Sequence, residues 1–217
     1  MTEEDARAWL ADNLNVSRET WEQLEIFVAF LKREAAQQNL ISATTLEHIW
    51  ARHIVDSAQL LRFASATGAW LDLGSGAGFP GLIIALLSNR PVTLVESRAK
   101  RVDYLQRAVD VLQLRDRVTV AGVTVERLET APYSVISARA FAPLPRLLSL
   151  AHRFSADKTI WLLPKGRNAA KELHEAQGGW VLDFTVESSV TDDEAGILVG
   201  NVTGQHVTGP AKGLRKE

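Results

Sequence analysis

The chain has 217 residues, of which 46% are hydrophobic, enough for one globular domain with a buried core and a small appendage. It contains no cysteine, which excludes disulfides, thiolate metal sites and cysteine nucleophiles. The net charge of −2 lacks the basic excess of a dedicated nucleic-acid binder. No run of about 20 apolar residues indicates a membrane span, and the N-terminus is acidic where a signal peptide is basic. We therefore expect a cytoplasmic protein without membrane contact.

Two helical stripes of apolar residues occupy the first part of the chain. One runs from Trp21 to Ala35, with Ser17 placed to cap its N-terminus. The other runs from Leu46 to Leu61. We expect these helices to form an N-terminal cap over residues 1–65.

From residue 66 the pattern changes to short apolar runs, which predict strands. Five runs, each followed by a helical or turn segment, cover residues 69–73, 91–96, 117–121, 133–138 and 159–163. Two last runs, 180–187 and 194–202, have no helix between them and should pair antiparallel. The predicted fold is α/β and Rossmann-like, with a mainly parallel seven-stranded sheet in a core over 66–204. A polar tail over 205–217 follows the antiparallel hairpin.

A glycine-rich turn follows the first predicted strand, in the sequence LDLGSGAGFPG at residues 71–81. Gly74, Gly76 and Gly78 permit positive φ and close approach of a ligand. A dinucleotide fingerprint needs glycine where this chain has Phe79, which argues against a nicotinamide site. The spacing, with Asp72 two residues before the first glycine, instead resembles motif I of class I S-adenosylmethionine (SAM) methyltransferases.

A second acid, Glu96, ends the strand predicted at 91–96. A carboxylate at this strand tip can accept both ribose hydroxyls of the cofactor. Alternatively, Glu96 caps the helix that starts near Ser97, where the helix dipole favours negative charge. The glycine loop upstream favours ribose binding.

His53 lies on the apolar stripe of its predicted helix, three residues before Asp56. Arg52 lies four residues before Asp56, so one interpretation is an Arg-Asp pair that orients the imidazole for function. The other is a core histidine hydrogen-bonded to a neighbouring carboxylate, and the sequence leaves both open. His48 and His53 lie on different helix faces, which together with the lack of cysteine predicts no metal site.

The segment at 137–141 follows the fourth predicted strand, where base-methylating enzymes contact their substrate. It lacks the Asn/Asp-Pro-Pro-aromatic motif of exocyclic-amine methylation, and carbon-5 methylation of a pyrimidine needs a cysteine. Ring nitrogens, hydroxyls and carboxylates remain as acceptors. A purine N7 already offers a lone pair, so its methylation requires alignment and no general base.

Three residues are predicted to position the substrate: Arg139, His53 and Lys165. Arg139 offers a bidentate donor and Phe141 a stacking face suited to a base, unless they are a structural arginine beside a core phenylalanine. Lys165 either contacts an RNA phosphate or is a solvated turn residue. A basic edge facing RNA is predicted from Lys100, Arg101, Arg139 and Lys165.

These motifs occur in the order found in one known family. The matching segments are 39–40, 52–57, 72–81, 100–101, 137–141 and 165–166. Together they resemble the ribosomal RNA small-subunit methyltransferase G family, also called glucose-inhibited division protein B. The resemblance implies SAM-dependent methylation of a guanine N7 in the 530 loop of bacterial 16S rRNA, within the small ribosomal subunit. We expect the protein to be a monomer.

By the same resemblance, contacts to SAM fall on Gly74, Phe79, Val125, Glu126 and Arg139. Thr124 and Ile41 depart from the family pattern, which often has arginine and threonine at these positions.

Three alternatives predict other features. A SAM methyltransferase of a small molecule predicts an apolar acceptor pocket and no use for the basic edge. A non-catalytic nucleotide-binding or ribosome-associated module would not require the glycine loop together with Asp72 and Glu96. A nicotinamide dehydrogenase is disfavoured by Phe79.

Overall fold

A computed structural model of the protein describes residues 1–65 and 67–206, so most of the predicted polar tail lies outside the described residues. The strands of its sheet are β1 (Trp70–Leu73), β2 (Val92–Val95), β3 (Val118–Ala121), β4 (Val135–Ala138), β5 (Ile160–Gly166), β6 (Trp180–Ser188) and β7 (Gly196–Gln205). Each of them lies at a predicted run.

The seven strands form one sheet in the order β3-β2-β1-β4-β5-β7-β6. Strands β1 to β5 are parallel, and β7 is antiparallel to both β5 and β6. The predicted mainly parallel sheet with a terminal hairpin is therefore confirmed, but the sequence did not indicate that β7 inserts between β5 and β6. Because the strand order reverses between β1 and β4, a ligand crevice is expected at their carboxyl ends.

Helices cover both faces of the sheet. They are α1 (Glu3–Asn13), α2 (Arg18–Ala35), α3 (Ala43–Glu47), α4 (Asp56–Ala58), α5 (Gly81–Leu87), α6 (Ala99–Val111), α7 (Leu144–Ala151) and α8 (Ala169–Gln177). Ser17 caps α2 as predicted, since its hydroxyl accepts from the N–H of Thr20 at 3.2 Å. Among residues 1–65 and 67–206, no helix is both long enough and apolar enough to span a bilayer.

The second predicted helical stripe contains an irregular region. A π-helical segment (Trp50–Val55) leads into α4, and a 3-10 turn (Gln59–Arg62) follows. The carboxylate of Glu3 accepts from the N–H groups of Trp50 and Ala51 at 3.1 and 3.0 Å. These donors are thus satisfied by α1, and the apolar periodicity gave no sign of this contact.

Apolar side chains fill two clusters, one on each face of the sheet. Trp70 of β1 belongs to the cluster that contains α5, α6 and the N-terminal helices, and Leu71 belongs to the cluster on α7 and α8. Phe27 of α2 and Ile83 of α5 lie in the same cluster. The N-terminal helices therefore pack directly on the core.

Candidate active site

The glycine-rich turn begins directly after β1. Gly74, Gly76 and Gly78 have φ angles of +69°, +55° and +95°, in the left-handed region that the sequence predicted. A Cβ at Gly74 would lie 2.5 Å from Cδ2 of Phe141, so that ring approaches the bare backbone closely. The N–H groups of Gly74 and Ser75 donate to the carbonyl of Val95 at 2.9 and 3.0 Å. The turn is thereby fixed to the end of β2.

Asp72 stabilises this turn from inside the core. Its carboxylate is fully buried and accepts from the N–H of Gly81 at 3.2 Å and from the hydroxyl of Ser137 at 2.7 Å. Ser137 in turn accepts from Nε1 of Trp70 at 2.7 Å. Burial raises the pKa of the Asp72 carboxyl. The acid of the motif therefore joins β1, β4 and the start of α5.

A cavity of about 360 Å³, here called the first cavity, opens beside the turn at the carboxyl ends of the strands. The predicted SAM contacts that line it are Gly74, Glu96, Val125 and Glu126. The other predicted contacts do not line it; these are Gly76, Gly78, Phe79 and Arg139. Arg98, Arg101 and Arg146 also line this cavity, and the sequence analysis did not predict that role for them.

The Glu96 carboxylate lies between the first cavity and the start of α6. Its Oε1 accepts from the N–H groups of Ser97 and Arg98 at 2.8 and 2.9 Å. Its Oε2 lies 3.8 Å from a guanidinium nitrogen of Arg101 and accepts no hydrogen bond from the residues described. One oxygen thus makes the helix-capping contacts of the alternative interpretation. Ribose binding by the other stays a prediction.

A second cavity, of about 660 Å³, shares a wall with the first. Ala140, Phe141 and Ala142 line both cavities. Ala140 has a φ of +51°, in the left-handed region that is uncommon for a residue with a Cβ. The sharp turn after β4 thus leaves Arg139 in the second cavity and places Phe141 between the two.

Arg139 is held by the π-helical segment and α4. Its Nη1 donates to Oδ2 of Asp56 at 3.2 Å and to the carbonyl of Arg52 at 3.3 Å. Its Nη2 lies 3.0 Å from Nδ1 of His53, and its guanidinium carbon lies 5.1 Å from the ring centroid of Phe79. The pair of Arg52 with Asp56 in one of the two interpretations is not formed, because Arg52 binds Asp192 at 3.1 Å and Asp56 binds Arg139.

His53 is buried and stacks on Phe79, with ring centroids 4.7 Å apart. Arginine has only donors, so Nδ1 of His53 accepts from Arg139 and the neutral ring carries its proton on Nε2. Burial, assisted by Arg139 and Arg52, lowers the pKa of His53 to about 3. The hydrogen-bond partner of His53 is therefore Arg139, whereas the core-histidine interpretation expected a carboxylate. The neutral ring supports Arg139.

Lys165 is buried and is not the solvated turn residue of one interpretation. Its Nζ donates to Oε2 of Glu172 at 2.9 Å and to the carbonyl of Ala142 at 3.1 Å. Lys165 thereby holds the wall between the two cavities. Within the described part of the chain, Lys100 is the member of the predicted basic edge that is exposed and has no ion pair.

The turn between β6 and β7 closes one side of the second cavity, a role that the sequence analysis missed. Ser189, Thr191 and Asp192 line the cavity from this turn. The buried amide of Gln59 donates to Oγ of Ser189 at 3.0 Å and accepts from the N–H of Val190 at 2.9 Å. No local pattern indicates such a contact, since its partners lie more than a hundred positions apart. In the described residues, no group of three or more His, Asp or Glu has the geometry of a metal site.

Comparison with known sequences identifies close relatives. The family described as rRNA small subunit methyltransferase G matches residues 20–197 of the chain. A protein of Rhizorhabdus wittichii named Ribosomal RNA small subunit methyltransferase G is 55% identical over 204 residues, which cover 93% of each chain. Proteins of the same name from Sphingopyxis alaskensis and Zymomonas mobilis are 54% and 49% identical, over 91% and 92% of this chain and 85% and 93% of theirs.

Solved structures show the same fold at low sequence identity. A putative SAM-dependent methyltransferase from Methanococcus maripaludis has a TM-score of 0.55 and 13% identity, over 71% of this chain and 86% of that one. A ribosomal protein L11 methylase from Lactobacillus delbrueckii has a TM-score of 0.56 and 10% identity, over 70% and 77%. The predicted class I methyltransferase fold is confirmed.

Proposed function

The chain belongs to the rRNA small subunit methyltransferase G family, and from this premise we propose that it methylates N7 of one guanine in the 530 loop of bacterial 16S rRNA. The methyl donor is SAM. The observation that carries the proposal is the pair of cavities on the two sides of Phe141, at the switch point of the sheet. We further propose that the protein acts in the cytoplasm as a monomer on the small ribosomal subunit, without a metal ion.

The first cavity has a volume of about 360 Å³ and offers polar groups that suit SAM. Gly74 lines it directly after β1, and Glu96 supplies a carboxylate oxygen with no hydrogen bond from the residues described. Val125 lies in a 3-10 turn (Val125–Arg127), whose first carbonyl accepts from Arg153 at 2.7 Å. Gly74, Glu96, Val125 and Glu126 would hold the cofactor. SAM supplies a methyl group bound to a positively charged sulfur. This sulfur departs readily as a neutral thioether when the methyl group is transferred.

The second cavity would receive the guanine. N7 carries a lone pair and no proton, so the protein has to align the base and does not need a general base. His53 is not free to act as a general base, because its Nδ1 already accepts a hydrogen bond from Arg139. Arg139 is fixed by Asp56 and His53 and has N–H donors beyond those contacts, which can meet the acceptor O6 beside N7.

The small-molecule alternative fits the second cavity less well. It predicts an apolar acceptor pocket with no use for cations. Apolar surface does form part of this cavity, but six charged side chains also line it: Arg52, Asp56, Arg139, Lys165, Glu172 and Asp192. Family membership likewise supports an rRNA substrate.

The test is methyl transfer from labelled SAM to small ribosomal subunits purified from a strain that lacks the enzyme. Chemical cleavage selective for 7-methylguanosine then locates the label. We expect one labelled guanine, in the 530 loop. Label at another position would reject this substrate while retaining the donor site. Absence of transfer, with SAM binding demonstrated by calorimetry, would favour a small-molecule acceptor.

A further inference from the structure

Binding of RNA requires positive charge near the second cavity, yet three of the four cations predicted for the basic edge are paired inside the protein, and the fourth, Lys100, does not line this cavity. Lys165 lies 2.9 Å from Glu172, Arg139 lies 3.2 Å from Asp56, and Arg101 lies 3.8 Å from Glu96. These side chains are mostly buried, and turning a cation outward would leave a carboxylate without its partner. The net charge of −2 supplies no general attraction to RNA either.

Two exposed arginines lie at the mouth of the second cavity. Arg52 lines the cavity, and Arg167 directly follows the lining residue Gly166. Their side chains are 51% and 75% exposed. Each arginine is bound by a carboxylate of the β6–β7 turn, Arg52 by Asp192 at 3.1 Å and Arg167 by Glu194 at 2.6 Å.

The backbone of the β6–β7 turn is held independently of these ion pairs. The buried Gln59 bonds Ser189 and Val190 at one end of the turn. Within the turn, the N–H of Ala195 donates to the carbonyl of Asp192 at 2.9 Å, and that of Ser189 donates to the carbonyl of Ala195 at 3.0 Å. The exposed arginine side chains can therefore turn away from the carboxylates without a change in the backbone of the turn. Exposed ion pairs contribute little to stability, so this exchange is inexpensive.

We propose that Arg52 and Arg167 form the phosphate-binding rim of the second cavity. In the protein without RNA, the carboxylates of Asp192 and Glu194 bind these arginines in place of phosphates, and the RNA backbone displaces both carboxylates when it binds. A guanidinium accepts carboxylate and phosphate oxygens in similar geometry, so one can replace the other. The inference rests on the proposed rRNA substrate. It assigns the surface that meets the sugar–phosphate backbone beside the target base.

The experiment measures equilibrium binding to small ribosomal subunits from a strain lacking the enzyme, over a series of salt concentrations. For Arg52→Gln with Arg167→Gln, binding weakens and the slope of log K against log salt falls by about 1.5, since two phosphate contacts are lost. For Asp192→Asn with Glu194→Gln, binding at low salt tightens by about two- to fivefold per ion pair. An asparagine at 192 retains the oxygen that accepts from the N–H of Glu194 at 3.1 Å.

The matched control neutralises an exposed pair at the carboxyl end of α6, formed by Asp110 in its last turn and Arg115 in the connection to β3. Arg115 and Asp110 lie 2.5 Å apart there, and Arg115→Gln with Asp110→Asn is expected to leave the slope unchanged. SAM affinity and thermal unfolding are measured for every variant, to show that the fold and the first cavity are intact.

The two double variants test the two parts of the proposal separately. An unchanged salt slope in the double arginine variant overturns the phosphate-binding rim. Weaker binding by the double carboxylate variant overturns the surrogate role of Asp192 and Glu194. If the wild-type protein methylates its guanine while all variants share one slope, this inference alone fails. If the wild-type protein does not methylate the subunits, the proposed function fails instead.

Discussion

Gly74 is the residue where backbone conformation and ligand approach are most tightly linked. Its φ is +69°, and a Cβ would press on Phe141. We expect Gly74→Ala to lower the free energy of unfolding by about 1 to 2 kcal/mol through the left-handed backbone. SAM binding, measured by calorimetric titration, should weaken by about tenfold. Gly179→Ala is the control, since a Cβ there meets open space. Unchanged SAM affinity in Gly74→Ala would show that the loop needs no bare backbone.

Glu96 has two assigned roles that substitution can separate. In Glu96→Gln the amide oxygen can still accept from the N–H groups of Ser97 and Arg98, but the negative charge beside the first cavity is lost. We expect near wild-type thermal stability and SAM binding weakened by about tenfold, the scale of a charged hydrogen bond. Glu96→Ala should reduce both. If Glu96→Gln binds SAM as the wild type does, the carboxylate is only a helix cap.

His53 makes the stability of the protein depend on pH. Its folded pKa of about 3 lies below the ordinary value of 6.5. The unfolded chain therefore binds an additional proton between these values, and the free energy of unfolding falls as pH drops through that window, by up to about 1.4 kcal/mol per pH unit.

The measurement is urea denaturation of the wild type and of His53→Gln at several pH values. Asp72, whose pKa is raised, acts in the opposite sense, so the difference between the two proteins isolates His53. Glutamine retains an acceptor for Arg139, and the difference should shrink as the pH falls. Parallel pH profiles would contradict a buried neutral imidazole.

The sequence identified residues of the site where they follow a strand in the chain. Gly74 and Glu96 were found this way, because the carboxyl ends of parallel strands meet at one edge. The partners of Arg139 were not found, since Asp56 lies 83 positions away in another element. Lys165 was predicted to meet solvent or RNA, although Glu172 of α8, seven positions along the chain, forms an ion pair with it.

At the level of elements, apolar periodicity was enough to locate the strands but not their order. Continuous apolar runs predicted β1 to β5, and the absence of a helix predicted the antiparallel pair β6 and β7. The insertion of β7 beside β5 depends on pairing over the whole sheet, which no local pattern records. The sequence did not predict the π-helical segment either, because its free N–H groups are bound by Glu3, which lies in a helix distant in the chain.

Glu3 therefore offers a test of how the π-helical segment is maintained. Glu3→Ala leaves the N–H groups of Trp50 and Ala51 without their acceptor. We expect the free energy of unfolding to fall by about 1 to 3 kcal/mol, the penalty for part-buried donors left unpaired. Methyl transfer should fall as well, because this segment positions His53. The exposed neighbour Glu4 is the control, and equal unfolding free energies of Glu3→Ala and Glu4→Ala would contradict the role.

At the scale of the whole molecule, the second cavity is built from widely separated parts of the chain. The π-helical segment supplies His53, the segment after β4 supplies Arg139, and the β6–β7 turn supplies Asp192. Further contacts join the N-terminal helices to the core. The rings of Phe30 and Tyr104 stack at 5.5 Å, and Glu34 binds Arg107 on α6.

These contacts lead to a prediction about the division into cap and core. Phe27 of α2 is fully buried, and its ring centroid lies 5.5 Å from that of Phe79. His53 stacks on the same Phe79 ring. We expect one calorimetric unfolding transition, and we expect Phe27→Ala to destabilise the entire protein by about 3 to 5 kcal/mol. The neighbouring Ile26 is 41% exposed, so Ile26→Ala should have little effect.

Two resolved transitions, with Phe27→Ala lowering only one of them, would show that residues 1–65 fold as a unit of their own. A single transition would show that these residues unfold cooperatively with the sheet and with Phe79 and Arg139. In that case residues 1–65 contribute to the acceptor site as part of one unit, because the π-helical segment lines the second cavity with Arg52 and His53 and packs Trp50 and Ile54 into the cluster that holds Phe27.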